Sequence, residues 1–177
     1  MPVASVRGTL LGLDARWLGH RGLIVSLLLV MVSPAGPLSP DTTLSLWVKC
    51  GIGLSSVLLM LLTSLSHELG HALAGGLAGL PVRAVVLGPG GGVTIRGASE
   101  HAHINALTAL AGPLANLVLG IACGWVATQV AGDALAFGLL LQVAVLQLIT
   151  SAANLPPFGQ FDGSRIFAMR RGVPSHQ

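Results

Sequence analysis

The twenty residues from Leu46 to Leu65 carry a single charge, Lys49, and the apolar character continues to Leu80. Such a run matches the roughly 20 helical residues that cross a hydrocarbon core. A helix is the natural element there, because it satisfies its backbone groups internally where no water can. Two further runs have the same reach, Ile104 to Ala131 and Ala134 to Leu155. Only 8% of the 177 residues are charged and 53% are hydrophobic, whereas soluble domains carry about 25% charged residues. These features predict an all-α polytopic membrane protein.

A fourth run, Leu23 to Leu38, is weaker because Pro34 and Pro37 interrupt its end. With Arg7, Arg16 and Arg21 before it and Ser33-Pro34-Ala35-Gly36 after it, it has the outline of a cleavable signal peptide. The expectation is an uncleaved first helix, which gives about four transmembrane helices. An N-terminus in the cytoplasm puts Arg7, Arg16, Arg21, Arg83, Arg96, Arg165, Arg170 and Arg171 inside and only Lys49 toward the outside. That asymmetry follows the positive-inside rule and puts both termini in the cytoplasm. The nine basic and six acidic residues are too few and too scattered for a nucleic-acid surface. Cys50 and Cys123 lack metal-type spacing and read as small apolar side chains.

Between the second and third runs, the β-prone stretches Val82 to Leu87 and Val93 to Arg96 flank the turn-prone Gly88 to Gly92. This pattern predicts a short membrane-associated β-hairpin. Pro113, in the stretch Ala111 to Asn116, should bend the third helix. Gly75 with Gly79 and Gly120 with Gly124 are four apart and would let helices approach closely. Gln142, Gln147, Thr150 and Ser151 are candidates to line a polar channel.

The chemistry concentrates in Ser64 to Gly75, SLSHELGHALAG. His67 and His71 are four apart, so on a helix they share a face and can hold one metal ion. Glu68 lies about 100° around the helix from His67, placed to take a proton rather than bind the ion. Ionisable groups inside a span are expensive to insert and are retained for function. Trp47 to His67 spans about 30 Å of helix, one hydrocarbon thickness, which places the site near the cytoplasmic side.

A catalytic zinc site takes a third protein ligand. The candidates are His20, Glu100, His101, His103, Asp133, Asp162 and His176. Asp133 falls at the opposite face, and His176 lies in the tail. Asp162 belongs to NLPPFGQFDG, residues 154 to 163, where Pro156 and Pro157 break the fourth helix and let the chain turn back. Glu100 is the rival, and Glu100, His101 and His103 read as a solvated loop rather than a second metal site.

HELGH in one helix, AGPLAN in the next, and Asn154 followed eight residues later by Asp162-Gly163 together resemble the site-2 protease family of intramembrane zinc metalloproteases. The resemblance covers about residues 50 to 168 and departs modestly, with Phe161 before Asp162 and Ser164 after Gly163. It implies one Zn2+ per chain on His67, His71 and Asp162, with Glu68 as base and Asn154 helping to polarise the scissile carbonyl. Asn116 matches the asparagine of the family's GPxxN motif. The expected divisions are a segment 1–43 with the first span, an intramembrane metalloprotease core 44–168, and a cytoplasmic tail 169–177.

The resemblance also implies a multi-pass protein of the cell membrane with its active site near the cytoplasmic face. Its partners would be the lipid bilayer and single-span membrane proteins, such as anti-sigma factors or membrane-held transcription factors. The hairpin would receive the unwound substrate by edge pairing. The competing reading is a non-catalytic zinc-binding scaffold or a metal transporter. A scaffold needs no Glu68, and a transporter would spread acidic and histidine residues along several spans.

Overall fold

A computed structural model describes residues 2–6, 9–13, 45–88, 91–159 and 161–168. It contains strands β1 (Pro2–Val6) and β2 (Thr9–Leu13), helix α1 (Leu46–Leu77), strands β3 (Val82–Gly88) and β4 (Gly91–Arg96), and helices α2 (Ala102–Gln129), α3 (Ala134–Ala153) and α4 (Asp162–Ala168). The protein is mostly helical. Among the described residues, α1, α2 and Leu135–Ala153 of α3 are long and apolar enough to span a bilayer. The expected first helix at Leu23 to Leu38 and the tail 169–177 lie outside the described residues.

Local chemistry sets the helix ends. The Ser45 side chain accepts from the Val48 amide at the start of α1. At its other end Gly79 adopts φ +73°, a conformation that glycine reaches without steric cost. The Gly79 amide donates to Gly76 O and the Leu80 amide to Gly75 O, at 3.0 and 2.9 Å, the double closure that ends many helices. Gly79 therefore stops α1, and no atom would meet a side chain there, so it takes no part in the helix packing expected of the Gly75 and Gly79 pair. Asp133 caps α3 by accepting from the Leu135 and Ala136 amides at 3.0 Å each.

Helix α2 is central and packs against both α1 and α3. Small residues allow this. A Cβ on Gly70 would lie 2.6 Å from Ala111 O, and one on Gly120 would lie 2.9 Å from the Leu148 side chain. Pro113 lies inside α2, and its carbonyl accepts a hydrogen bond from the Ser151 hydroxyl at 2.9 Å. Gln142 donates to Ser56 Oγ at 2.5 Å and Gln147 to Ser66 Oγ at 3.2 Å, which ties α3 to α1. Three of the expected channel residues, Gln142, Gln147 and Ser151, thus bridge helices.

The distribution of polarity is inverted relative to a soluble domain. Ser56, Thr63, Ser64, His67, Glu68, His71, Asn116, Gln147 and Ser151 are buried, while Leu54, Leu58, Leu62, Leu73, Leu114 and Val118 face outward. Apolar side chains gain nothing by leaving lipid, so packing and polar contacts hold such helices together. The chain is an integral membrane protein.

The sheet is larger than the expected hairpin. It has the order β1-β2-β3-β4, with β1 antiparallel to β2, β2 parallel to β3 from Leu10↔Ala84 to Leu13↔Leu87, and β3 antiparallel to β4 from Val82↔Arg96 to Gly88↔Gly91. The 82–96 strand pair is thus half of a four-stranded sheet. Residues 2–13 escape a reading based on apolar length because each strand has only five residues. The partner of β2 also lies some 70 positions downstream, at Ala84 to Leu87.

Candidate metal centre

His67 and His71 lie on one face of α1 and are 5% and 6% exposed. Their ring centroids are 4.8 Å apart and nearly perpendicular. Asp162 reaches them from the first residue of α4. Its Oδ2 is 2.9 Å from His67 Nε2 and 3.2 Å from His71 Nε2, and the two Nε2 atoms are 3.2 Å apart. Among the described residues this is the one group of three such donors close enough to share an ion.

The turn after α3 delivers Asp162. Pro156 and Pro157 end the helix, and Asn154 becomes its cap. The Asn154 side-chain amide donates to Thr150 O at 2.8 Å, while its backbone carbonyl accepts from the Gly163 amide at 2.9 Å. A Cβ on Gly163 would overlap the Leu155 carbonyl, so only glycine lets α4 begin so close to the end of α3. Asn154, expected beside the scissile carbonyl, thus holds the turn that presents Asp162.

The donor set fits a metal on physical grounds. His71 Nδ1 lies 2.7 Å from the Thr108 carbonyl, which can only accept, so Nδ1 carries the hydrogen and Nε2 of the neutral ring presents a lone pair. That lone pair points into a cluster with a carboxylate oxygen and a second imidazole nitrogen. A cation relieves the mutual repulsion of these donors. Tetrahedral zinc with bonds of about 2.0–2.1 Å would set its donors about 3.3 Å apart, close to the spacings here. Asp162 completes the set with a carboxylate oxygen.

Glu68 is 4% exposed and points to the sheet rather than into the donor cluster. The Thr94 hydroxyl donates to its Oε2 at 2.7 Å and also lies 3.0 Å from the Glu68 carbonyl oxygen. A Cβ on Gly92 would overlap the Glu68 side chain. Strand β4 alternates, with Gly92, Thr94 and Arg96 turned to α1 and Val93 and Ile95 exposed. The expected rival ligands lie elsewhere. Glu100, His101 and His103 are exposed, with the two histidine rings stacked at 5.6 Å, and Asp133 caps α3.

Sequence reasoning did not find Thr94, Gly92 or Gly112. The period-two alternation of GGVTIR held the signal for the first two. Gly112 lies in the AGPLAN stretch, residues 111 to 116, and a Cβ on it would overlap His71 Nε2 and lie 2.8 Å from His67 Nε2. Its absent side chain is the space into which the histidines converge.

An HExxH helix closed by a distant carboxylate inside a bundle of apolar helices makes a membrane-embedded candidate metal centre. Known proteins agree. The family profile described as Peptidase M50B-like matches residues 42–157, and the chain belongs to that family, the site-2 proteases. It is 32% identical over 119 residues to Rip3 of Mycobacterium tuberculosis, named as a zinc metalloprotease, in the strains H37Rv and Erdman. That alignment covers 65% of this chain and 30% of Rip3, so the chain spans under a third of that relative's length. The solved structure of the site-2 protease from Methanocaldococcus jannaschii superposes with a TM-score of 0.73 at 19% identity, covering 99% of this chain and 73% of that one.

Proposed function

We propose that the chain is an intramembrane zinc metalloprotease that hydrolyses peptide bonds in or near the transmembrane segments of membrane-anchored substrates. The observation that carries this reading is the convergence of His67 Nε2, His71 Nε2 and Asp162 Oδ2 beside a buried Glu68 that binds none of them. One zinc ion would be held by these three atoms. When bound, it acidifies water toward a pKa of about 7 and polarises the scissile carbonyl.

Glu68 takes the proton of the attacking water and returns it to the departing amide nitrogen. Thr94, by donating to Oε2, keeps that carboxylate oriented. Asn154 uses one amide hydrogen on Thr150 O and has a second to offer the substrate carbonyl. The exposed edge of β4 pairs with the unwound substrate strand, whose amides must be freed before cleavage. Four spans, a cytoplasmic N-terminus, a membrane-associated sheet and a site near the cytoplasmic face complete the topology, supported by the arginine distribution. In this arrangement 44–168 is the catalytic core and 169–177 a cytoplasmic tail. Substrates are single-span proteins of the cell membrane, such as anti-sigma factors or membrane-held transcription factors.

Metal analysis of detergent-purified protein, paired with cleavage of a single-span test substrate, checks this reading. Wild type should hold about one zinc, and His67→Ala and Asp162→Ala should hold none. Glu68→Gln should keep the metal while cleavage falls by about 10² to 10⁴. Zinc retained in Asp162→Ala would overturn the ligand set, and undiminished cleavage by Glu68→Gln would overturn the mechanism.

A further inference from the structure

Asn116 is 0% exposed, at the centre of the helix bundle. In the structure its Nδ2 lies 3.3 Å from His67 Nδ1 and its Oδ1 lies 3.1 Å from Ser66 Oγ. Ser66 Oγ also donates to Thr63 O at 2.8 Å and accepts from Gln147 Nε2 at 3.2 Å. These contacts join α1, α2 and α3 immediately behind the metal-facing side of His67.

The two ends of an amide are nearly the same size, so the hydrogen-bond network decides which end faces which neighbour. A histidine that binds metal through Nε2 carries its hydrogen on Nδ1 and needs an acceptor there. Only the carbonyl end of Asn116 supplies one. With Oδ1 toward His67, Nδ2 donates to Ser66 Oγ, which then accepts twice and gives its own hydrogen to Thr63 O. Every member of the chain is satisfied, which a network buried this deeply requires.

We propose that Asn116, held by Ser66 and Gln147, is the positioning residue that fixes His67 in its metal-binding tautomer, as the Thr108 carbonyl does for His71. This inference rests on the metalloprotease reading. It gives the two histidines different supports. His71 leans on a backbone carbonyl that no substitution removes, whereas His67 leans on one side chain. Metal affinity is therefore open to change at residue 116 without touching a ligand.

The test is zinc affinity, measured on the purified full chain in detergent by competition with a chelator, using zinc alone as the probe. Asn116→Leu, matched in size but without an acceptor, should bind zinc about 10- to 100-fold more weakly. Asn116→Asp keeps an acceptor for Nδ1–H and can itself accept from Ser66, so it should stay within about threefold of wild type, well inside that outer-sphere loss. Thermal midpoints in excess chelator confirm that each variant folds.

Wild-type affinity in Asn116→Leu would overturn the proposal, as would a loss in folded Asn116→Asp equal to that in Asn116→Leu. Should Asn116→Leu not fold, isotope-edited NMR of the wild type decides. Zinc must leave His67 Nδ1 protonated and shift the Asn116 side-chain carbonyl, and an unmoved carbonyl overturns the proposal. A wild type that binds no zinc sinks the metalloprotease reading itself, whereas tight wild-type binding with an indifferent Asn116→Leu sinks only this inference.

Discussion

The two flanks of Glu68 are built to opposite specifications. On the helical flank, His67, His71, Asp162 and Asn116 are all under 9% exposed, and α1, α2, α3 and α4 meet through fixed side chains and backbone carbonyls. On the strand flank, Thr94 anchors β4 to Glu68 while its neighbours Val93 and Ile95 are 57% and 48% exposed. A metal site needs its donors held in place before the ion arrives. On the function proposed above, a cleft that admits a polypeptide needs one wall able to yield, and the edge strand β4 would be that wall.

Substitutions on the two flanks should therefore separate zinc affinity from turnover. The largest effect is expected of Gly112→Ala, whose new methyl group would occupy the space of both histidine Nε2 atoms. Zinc affinity should fall by more than the roughly 100-fold that loss of an outer-sphere partner costs, and chelator competition would measure it. Wild-type affinity in this variant would mean that the histidines turn elsewhere to bind.

Gly92→Ala works from the opposite flank by pushing against Glu68. Cleavage should drop by about 10², the cost of misplacing a reacting group by about an ångström, with zinc content unchanged. Parallel loss of metal would show that the two flanks are coupled. Thr94→Val should be mildest of the three. It removes one hydrogen bond to a carboxylate, worth about 1.5 kcal/mol or somewhat more, so turnover should fall about tenfold with zinc affinity unaltered. A rise in KM with kcat unchanged would instead assign Thr94 to substrate binding.

The sequence spoke clearly where chemistry is local. His67, Glu68 and His71 share one helical segment, and their spacing alone puts the histidines on one face. Asp162 was legible because two prolines break α3 just before it, although its arrival at the histidines depends on Gly163 fitting against Leu155. The strand flank was silent for a different reason. Thr94 meets Glu68 only after β4 has folded across α1, and no periodicity within either segment encodes that crossing. The pairing of β2 with β3 is equally non-local. Asn154 was placed beside the substrate by resemblance, and its hydrogen bonds add a second task, closing the turn into α4.

The separation of the donors along the chain has a consequence for biosynthesis. Asp162 follows His71 by 91 positions. At synthesis rates of about 5 to 20 residues per second, the ribosome delivers Glu68 and both histidines roughly 5 to 20 seconds before the aspartate. During that interval α1 and α2 can settle in the bilayer with an incomplete set of donors. On the proposed function, hydrolytic competence would wait on a seven-residue helix too short to persist unaided. On that function, the nascent chain is thus unarmed while it is being threaded into the membrane among its neighbours.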